Sequence, residues 1–254
     1  MRFGAAAVVN AERIKLTTLR SPMVSAGAAA ALSLALAALQ AANRGPYSAL
    51  SAPDAALGAA VFGVPVLMVV SAMTLTTEYR TQMVRTTLLA TPDRTRVLCA
   101  KAVVSAVFCA VVAALTALGS IVVAGLAAEP GAARQLTLGQ LGVWRTTAAI
   151  GLYAALAAVL AVGVAALVRH TAGAVTLLLL WPLLVEPLLG NLPPIGAQLG
   201  PYLPFGNAFR FLEVQWLFPG YDAAWGPVGA ICYFAAVSAA VFGVALVTMN
   251  RRDA

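Results

Sequence analysis

The sequence has little charge, cysteine or histidine, and each shortage excludes a class of protein. Only 10% of its 254 residues are charged, against roughly 25% in soluble domains, so an ordinary soluble domain is excluded. Three cysteines without a C-x-x-C spacing and one isolated histidine leave no recognisable disulfide framework or metal site. No Ser/His/Asp arrangement or carboxylate pair is evident, which argues against a membrane enzyme.

A phosphate-binding loop is also missing. The pattern G-x-x-x-x-G-K-[ST] does not occur, and neither lysine, Lys15 or Lys101, follows a glycine. The chain therefore has no P-loop with which to bind ATP, and an ATP-driven activity would need another polypeptide.

Long apolar runs, in contrast, are abundant. Hydrophobic residues make up 61% of the chain, and several runs approach or exceed the roughly 20 residues that cross a bilayer as a helix. These runs predict an all-α polytopic membrane protein with one transmembrane domain over residues 1–254. The six predicted spans are 22–42, 56–77, 101–127, 146–168, 171–189 and 228–248. Only Arg169 and His170 separate the fourth span from the fifth, which predicts a tight turn.

The distribution of cations predicts the orientation. With the N-terminus inside, twelve of the sixteen Lys and Arg fall in cytoplasmic segments and four in outer segments, a clear positive-inside bias. The cytoplasmic set is Arg2, Arg13, Lys15, Arg20, Arg80, Arg85, Arg94, Arg96, Lys101, Arg169, Arg251 and Arg252; the outer set is Arg44, Arg134, Arg145 and Arg210. Both termini are predicted to be cytoplasmic. Because the cations cluster at span ends, the net charge of +7 indicates membrane lipid rather than nucleic acid as a partner.

Residues 1–21 are predicted to form a cytoplasmic amphipathic helix. Its helical part, 5–20, would lie along the membrane surface, and Pro22 would end it and turn the chain into the bilayer. The predicted apolar side consists of Ala5, Val8, Val9, Leu16 and Leu19. Glu12 falls in the middle of that side and Ile14 outside it, so a disordered basic tail stays open as an alternative. The apolar stretch that follows is longer than the 7–15 residues of a signal peptide, so we expect it to be retained.

The segment EYRTQMVRTTLLATPDRTRVLCAK, residues 78–101, lies between two nearly uncharged spans and holds five of the sixteen cations. We predict a first helix that Glu78 opens, with Met83, Val84 and Leu88 as its apolar ridge. That helix should end by Thr91, because the following proline disfavours helix, and Thr91 would cap a second helix leading into the third span. Its chemistry leaves two interpretations open: a helix that docks on a soluble partner, and a basic loop held to anionic lipid.

The same segment resembles the cytoplasmic loop of permeases of the type-2 (ABC-2) ABC transporters, especially actinobacterial ones. In that family an acidic-aromatic pair, a basic-Thr-Thr-Leu stretch, a proline, basic residues and an Ala-Lys pair follow one another. The matching residues are Glu78, Tyr79, Arg85, Thr86, Thr87, Leu88, Pro92, Arg94, Ala100 and Lys101. Two further stretches agree: ERIKLTTLRSP resembles the family's connecting helix, and LVRHTAGA resembles its turn into the fifth span.

The resemblance implies a permease subunit of an exporter in a bacterial plasma (inner) membrane. It implies that residues 78–100 are a coupling loop that docks on a separate ATP-binding subunit, which would bind ATP and Mg²⁺, so this chain would need no cofactor. Six spans are half of the usual permease, which implies a homodimer or a related second permease. Exporters of this class carry drug-like, lipid-linked, peptide or glycan substrates. The implied contact residues for the ATP-binding subunit are Glu78, Tyr79, Arg80, Met83, Arg85 and Leu88.

Glu186 is the one acid inside an apolar run, between Pro182 and Pro187. A charge in the bilayer is costly unless it faces protein or water, so Glu186 is a candidate residue of the substrate path. It could attract a cationic or amphiphilic substrate or pair with Arg210. The alternative is that the proline bends place it in the interface.

A short amphipathic helix is predicted near the outer face, before the last span. Its apolar side has i, i+3, i+4, i+7, i+11 spacing, with Asn207, Arg210 and Glu213 off that side. The apolar residues are Phe205, Ala208, Phe209, Leu212 and Trp216. This helix resembles the family's extracellular re-entrant helices, which cap the exit, and a plain interfacial anchor is the alternative.

Two other function classes remain open. A self-contained secondary transporter or channel would be expected to show internal repeats or more intramembrane charge, and neither is evident. A membrane enzyme or assembly factor would need chemistry that this sequence does not display.

Overall fold

The computed structural model describes residues 4–45, 48–91, 93–214, 218 and 225–251, and within these ranges it is helical with no strand. Its principal helices are α1 (Ala5–Thr18), α2 (Arg20–Ala42), α3 (Ala59–Arg80), α4 (Met83–Ala90), α5 (Arg94–Ala127), α6 (Leu141–Val168), α7 (Thr171–Asn191), α8 (Pro204–Leu212) and α9 (Pro227–Arg251). In these ranges six helices, α2, α3, α5, α6, α7 and α9, are long and apolar enough to cross a membrane. The predicted fold class is confirmed.

Helices α3 and α6 form the centre of the bundle. About 72% of the apolar window of each is buried, whereas the other four spans are 22% to 33% buried and so offer their surfaces to lipid. Small residues permit the close approach of α6 to its neighbours: a Cβ at Gly151 would lie 3.2 Å from the carbonyl oxygen of Ala110, and one at Gly163 would lie 3.1 Å from the Cα of Phe242. Such contacts let helix backbones pack tightly where lipid supplies no hydrophobic driving force.

Two spans contain a π-helical turn next to a proline. One turn, Ala59–Gly63, precedes Pro65 in α3, and the other, Trp181–Val185, contains Pro182 in α7. Proline withdraws its N–H from the helical ladder, and a widened turn accommodates the change. The second π turn ends directly before Glu186, and so sets where that carboxylate lies.

The break between α1 and α2 is not at the predicted position. It falls at Leu19, which is extended, and Pro22 lies in the first turn of α2, where a missing N–H is tolerated. Leu19 is 57% exposed and therefore leaves the predicted apolar side. Val8, Glu12 and Leu16 are the buried residues of α1.

The loop between the second and third spans also differs from the prediction. Glu78 does not open a new helix: α3 continues through it to Arg80. The chain then turns at Gln82, which has a left-handed conformation with φ of 60°, and α4 begins at Met83. Helix α5 is capped by the Asp93 side chain, which accepts from Arg96 N, and not by Thr91. The proline of the predicted break, Pro92, lies outside the described residues.

Candidate functional site

Several connections meet at one end of the bundle, which we call the basic end (residues 5–18, 78–101, 168–171 and 249–251). The C-terminal end of α9 is joined to the start of α5, because Arg94 Nη1 donates to the Met249 carbonyl oxygen at 2.9 Å and Asn250 Nδ2 donates to Thr95 Oγ1 at 3.0 Å. The turn between α6 and α7 contacts the end of α3 through Arg169, whose guanidinium lies 5.4 Å from the ring centroid of Tyr79.

An ion cluster, formed by the buried Glu12, Glu78 and Lys101 and by Lys15, whose side chain is 41% exposed, lies at the centre of the basic end. Lys101 on α5 is only 1% exposed. Its Nζ donates to Glu12 Oε2 at 2.7 Å, to Glu78 Oε1 at 2.8 Å and to the Thr74 carbonyl oxygen at 3.1 Å. All three ammonium donors are therefore used. One lysine thus joins α1, α3 and α5.

Lys15 balances the charge of the cluster. Its Nζ donates to Glu12 Oε1 and to Glu78 Oε1, both at 2.9 Å. Burial alone would lower the pKa of Lys15, but the hydrogen bonds to Glu12 and Glu78 outweigh burial and hold the pKa above its ordinary value. The cluster therefore contains two lysines and two carboxylates, and a buried charge is tolerable only with such compensation.

The sequence analysis did not predict this cluster, although two charged residues in apolar surroundings indicate it. Glu12 lies in the middle of the predicted apolar side of its helix, and Lys101 begins a long apolar run. Each is costly to bury alone, so each needs an opposite charge. The exception on α1 is the residue that ties this helix to the bundle.

The six predicted partner-contact residues differ in how far the structure exposes them. Glu78 is 7% exposed and belongs to the ion cluster, so it is an internal anchor and not a contact surface. Tyr79 is half-buried beneath Arg169. Arg80 is exposed and Met83 is 52% exposed. Of the remaining two, Arg85 and Leu88, the structure describes the backbone, which belongs to α4.

The apolar ridge predicted for this helix is not one continuous surface. Val84 is turned inward and is 8% exposed, whereas Met83 points outward. Leu89, which the prediction did not include, is 84% exposed. The outward apolar surface of α4 thus includes Met83 and Leu89.

At the opposite end, Glu186 is fully buried and its carboxylate is used by its own chain. Trp181 Nε1 donates to Oε1 at 2.9 Å, and the backbone N–H groups of Phe205 and Gly206 donate to Oε2 at 2.9 and 3.1 Å. Phe205 and Gly206 are in the first turn of α8, where N–H groups lack helical partners and favour a negative charge. Glu186 therefore holds the N-terminal end of α8 against α7.

The predicted ion pair between Glu186 and Arg210 is not formed. Arg210 lies in the last turn of α8, and its Nη1 is buried without a partner among the described residues. The carboxylate of Glu186 instead accepts from Trp181 and from the backbone at the start of α8.

Helix α8 buries the side that was predicted from its spacing. Phe205, Ala208, Phe209 and Leu212 are all buried, while Trp216 lies outside the described residues. Asn207 was expected off that side but is also buried. Its Nδ2 donates to the carbonyl oxygens of Pro201 and Leu203, and its Oδ1 accepts from Trp225 Nε1.

An exposed ion pair links the end of α8 to the start of α6. Arg145 Nη2 donates to Glu213 Oε1 at 2.7 Å, and this hydrogen bond holds the pKa of Glu213 below its ordinary value. A lowered folded pKa means stability that is present above the unfolded pKa of about 4.3 and is lost as the pH falls through the folded value.

We therefore expect Glu213→Gln to lower stability slightly at neutral pH and to have no effect in acid. Both side chains are about half exposed, so the expected loss is at most about 1 kcal/mol. The measurement is thermal unfolding of both proteins in detergent between pH 3 and pH 7. A difference that persists unchanged at pH 3 would contradict the ion pair.

Within the described part of the chain no group of three or more His, Cys, Asp or Glu side chains is placed to hold a metal ion.

The basic end presents a short exposed helix, α4, and the ion cluster holds together the two spans that flank this helix.

Comparison with known proteins adds one finding. A family model described as "ABC-2 family transporter protein" matches residues 8–182. The match contains α1 from Val8 onward, all of α4, the four residues of the ion cluster and the π turn of α7 up to Pro182. No curated protein matches the chain.

Proposed function

This chain belongs to the ABC-2 family of transporter proteins and is a permease subunit of an ABC transporter, and we propose that it exports a substrate with ATP hydrolysed on a separate ATP-binding subunit. The chain has no P-loop, which supports a separate motor. A drug-like, lipid-linked, peptide or glycan substrate fits the same scaffold, because fold does not determine cargo.

In this proposal the basic end faces the cytoplasm of a bacterium and both chain termini lie inside. Cations are concentrated there, on α1, α3, α5 and the α6–α7 turn, which supports the orientation through the positive-inside bias. Helix α8 and the Glu186 cap then lie on the outer side.

The coupling helix in this proposal is α4, and its contact surface starts at Arg80 and Met83. Both side chains are exposed, and Arg85 and Leu88 follow on the same helix. Glu78 and Tyr79 support the helix from inside the bundle. An acidic groove on the ATP-binding subunit would complement Arg80 and Arg85, which favours orientation and rate of encounter.

The observation that carries the mechanism is the ion cluster behind α4. Glu78 precedes α4 and Lys101 follows it, and the 2.8 Å contact between them closes the base of the loop. A displacement of α4 by the closing ATP-binding subunits would therefore move α3 and α5 as one body. Glu12 would carry the same displacement to α1. Such rigid-body movement is a known means of transmitting a domain closure.

Two permease copies, or this chain with a related permease, would form the complete pathway. Six spans with lipid-facing surfaces on α2, α5, α7 and α9 support an assembly in the membrane. A self-contained secondary transporter is the alternative, and it predicts that transport proceeds without an ATP-binding subunit.

Co-purification tests the proposal. Tagged permease expressed with its cognate ATP-binding subunit should capture a P-loop ATPase, and Arg85→Glu or Arg80→Glu should reduce that capture at least about tenfold, since a like charge in an interface costs several kcal/mol. Arg44→Glu, an exposed cation near the other end of α2, is the matched control and should retain full capture.

The alternative has its own outcome. If the wild-type protein transports while purifying alone, and both charge reversals leave transport unchanged, α4 is not a coupling helix and the secondary transporter is favoured.

A further inference from the structure

Leu89, near the end of α4, is 84% exposed, the highest fraction among the large apolar side chains that the structure describes. Leu126 and Leu141 are exposed to a similar extent, 83% and 81%, but both belong to spans, which lipid surrounds. Helix α4 is not a span: it has eight residues and follows the left-handed turn at Gln82. The side chain of Leu89 therefore needs a cover other than the hydrocarbon core of the bilayer.

The register of α4 divides its positions between an inner and an outer side. Val84 is turned inward and is 8% exposed, and Leu88, four residues later, lies on the same side of the helix. Leu89 follows Arg85 by four residues and Thr86 by three, so these three positions share a different side. Thr86 is exposed on that side. The outer side of α4 thus combines a basic position, a small polar residue and a fully presented leucine.

The charges around α4 favour a partner with acidic groups. Helix α4 itself contains no acid, and Arg80 is exposed just before it. The nearest acids on either side in the sequence are already paired, Glu78 with Lys101 at 2.8 Å and Asp93 with Arg96 at 2.8 Å. A surface with unpaired acids beside an apolar pocket would therefore complement the cations and cover the leucine together.

Anionic lipid would also complement these cations, but α4 has too little outward apolar surface to lie in a bilayer interface. Helices that bind there present a broad apolar face, rich in Trp, Phe or Leu. On α4 the exposed apolar side chains are Met83 and Leu89, which are more than one turn apart, and the exposed Thr86 lies between them. One leucine among polar and basic positions fits a pocket on a protein better than a lipid surface.

We infer that Leu89 is the apolar anchor of the coupling surface and enters an apolar pocket of the ATP-binding subunit, with acidic groups of that subunit facing Arg80 and Arg85. Leu89 thereby takes the place in the contact that the family resemblance assigned to Leu88. The inference rests on the proposed export function. An apolar centre with a polar rim is the usual anatomy of a protein interface: the centre contributes affinity through burial, and the charged rim contributes orientation.

Binding of the purified cognate ATP-binding subunit to the full-length permease in nanodiscs tests the anchor. Leu89→Ala should weaken binding about ten- to thirtyfold, whereas Leu89→Met, which keeps volume and apolarity, should stay within about threefold of wild type. Leu126→Ala is the matched control, since Leu126 is equally exposed but lies at the far end of α5, and it should bind like wild type. The Leu89 variants should unfold at the wild-type temperature, because the side chain is exposed.

Cross-linking identifies what covers the leucine. With the subunit bound, Leu89→p-benzoylphenylalanine should cross-link to the ATP-binding subunit, and Leu126→p-benzoylphenylalanine should not. Cross-links from position 89 to phospholipid alone, or binding by Leu89→Ala that equals wild type, would overturn the anchor and leave the proposed function in place. A wild-type permease that binds no ATP-binding subunit would overturn the proposed function and the anchor together.

Discussion

Lys101→Met is expected to destabilise the protein by about 3 to 5 kcal/mol, because it removes the buried lysine of the ion cluster and leaves the charge of the others uncompensated. Lys101 is 1% exposed and makes three hydrogen bonds, two of them to carboxylates. Methionine has a similar length and no charge, so little packing is lost. Thermal unfolding of the purified protein in detergent measures the effect.

The controls separate burial from charge. Arg96→Ala removes an exposed ion pair with Asp93 and should cost at most about 1 kcal/mol. Combining Lys101→Met with Glu78→Gln removes a lysine and a carboxylate together, and should recover part of the loss, since the remaining Glu12 and Lys15 still compensate one another. If Lys101→Met unfolds at the same temperature as Arg96→Ala, the ion cluster does not hold the basic end together.

Local patterns were sufficient to predict the six spans and the buried side of α8. Each depends on residues that are near one another in the chain, so hydrophobic length and 3.6-residue spacing report them directly. Phe205, Ala208, Phe209 and Leu212 follow that spacing and are all buried.

The ion cluster could not be predicted in the same way, because its members are far apart in sequence. Glu12 and Lys101 are 89 residues apart, and no local rule pairs them. Acidic residues favour the first turn of a helix, and for that reason Glu78 was predicted to begin one. In the structure α3 continues through Glu78, because the tertiary contact of Glu78 with Lys101 outweighs the local preference. A buried acid and a buried lysine each needed a partner, but only the fold shows which.

Glu186 also shows that local patterns predict the need for a partner but not which partner the fold supplies. The cost of a charge in an apolar run correctly indicates that the residue needs a partner. The predicted partner was the cation Arg210, whereas the observed donors are an indole and two backbone N–H groups. Backbone donors at a helix start are available in every helix, so composition does not reveal which one approaches a carboxylate.

Glu186→Leu is expected to detach α8 from α7 and to lower stability by about 1 to 3 kcal/mol, because the buried N–H of Phe205 loses its acceptor. Trp181, which is 41% exposed, and the half-buried Gly206 also lose an acceptor but add less to the loss. The affected groups are Trp181 Nε1 and the N–H groups of Phe205 and Gly206. Glu186→Gln retains one acceptor oxygen and should have a smaller effect. Hydrogen exchange at Phe205 and Gly206, with thermal unfolding, measures both.

Glu129→Gln is the matched control, since Glu129 is an exposed acid in the loop after α5 and should leave both measurements unchanged. If Glu186→Leu leaves the two amides protected and unfolds like Glu129→Gln, the cap is not what positions α8. If Glu186→Gln keeps α8 protected yet abolishes transport, the carboxylate acts on the substrate path itself. A loss of amide protection in proportion to the loss of transport would instead mean that Glu186 acts through the position of α8, the helix that the proposed orientation puts at the outer face.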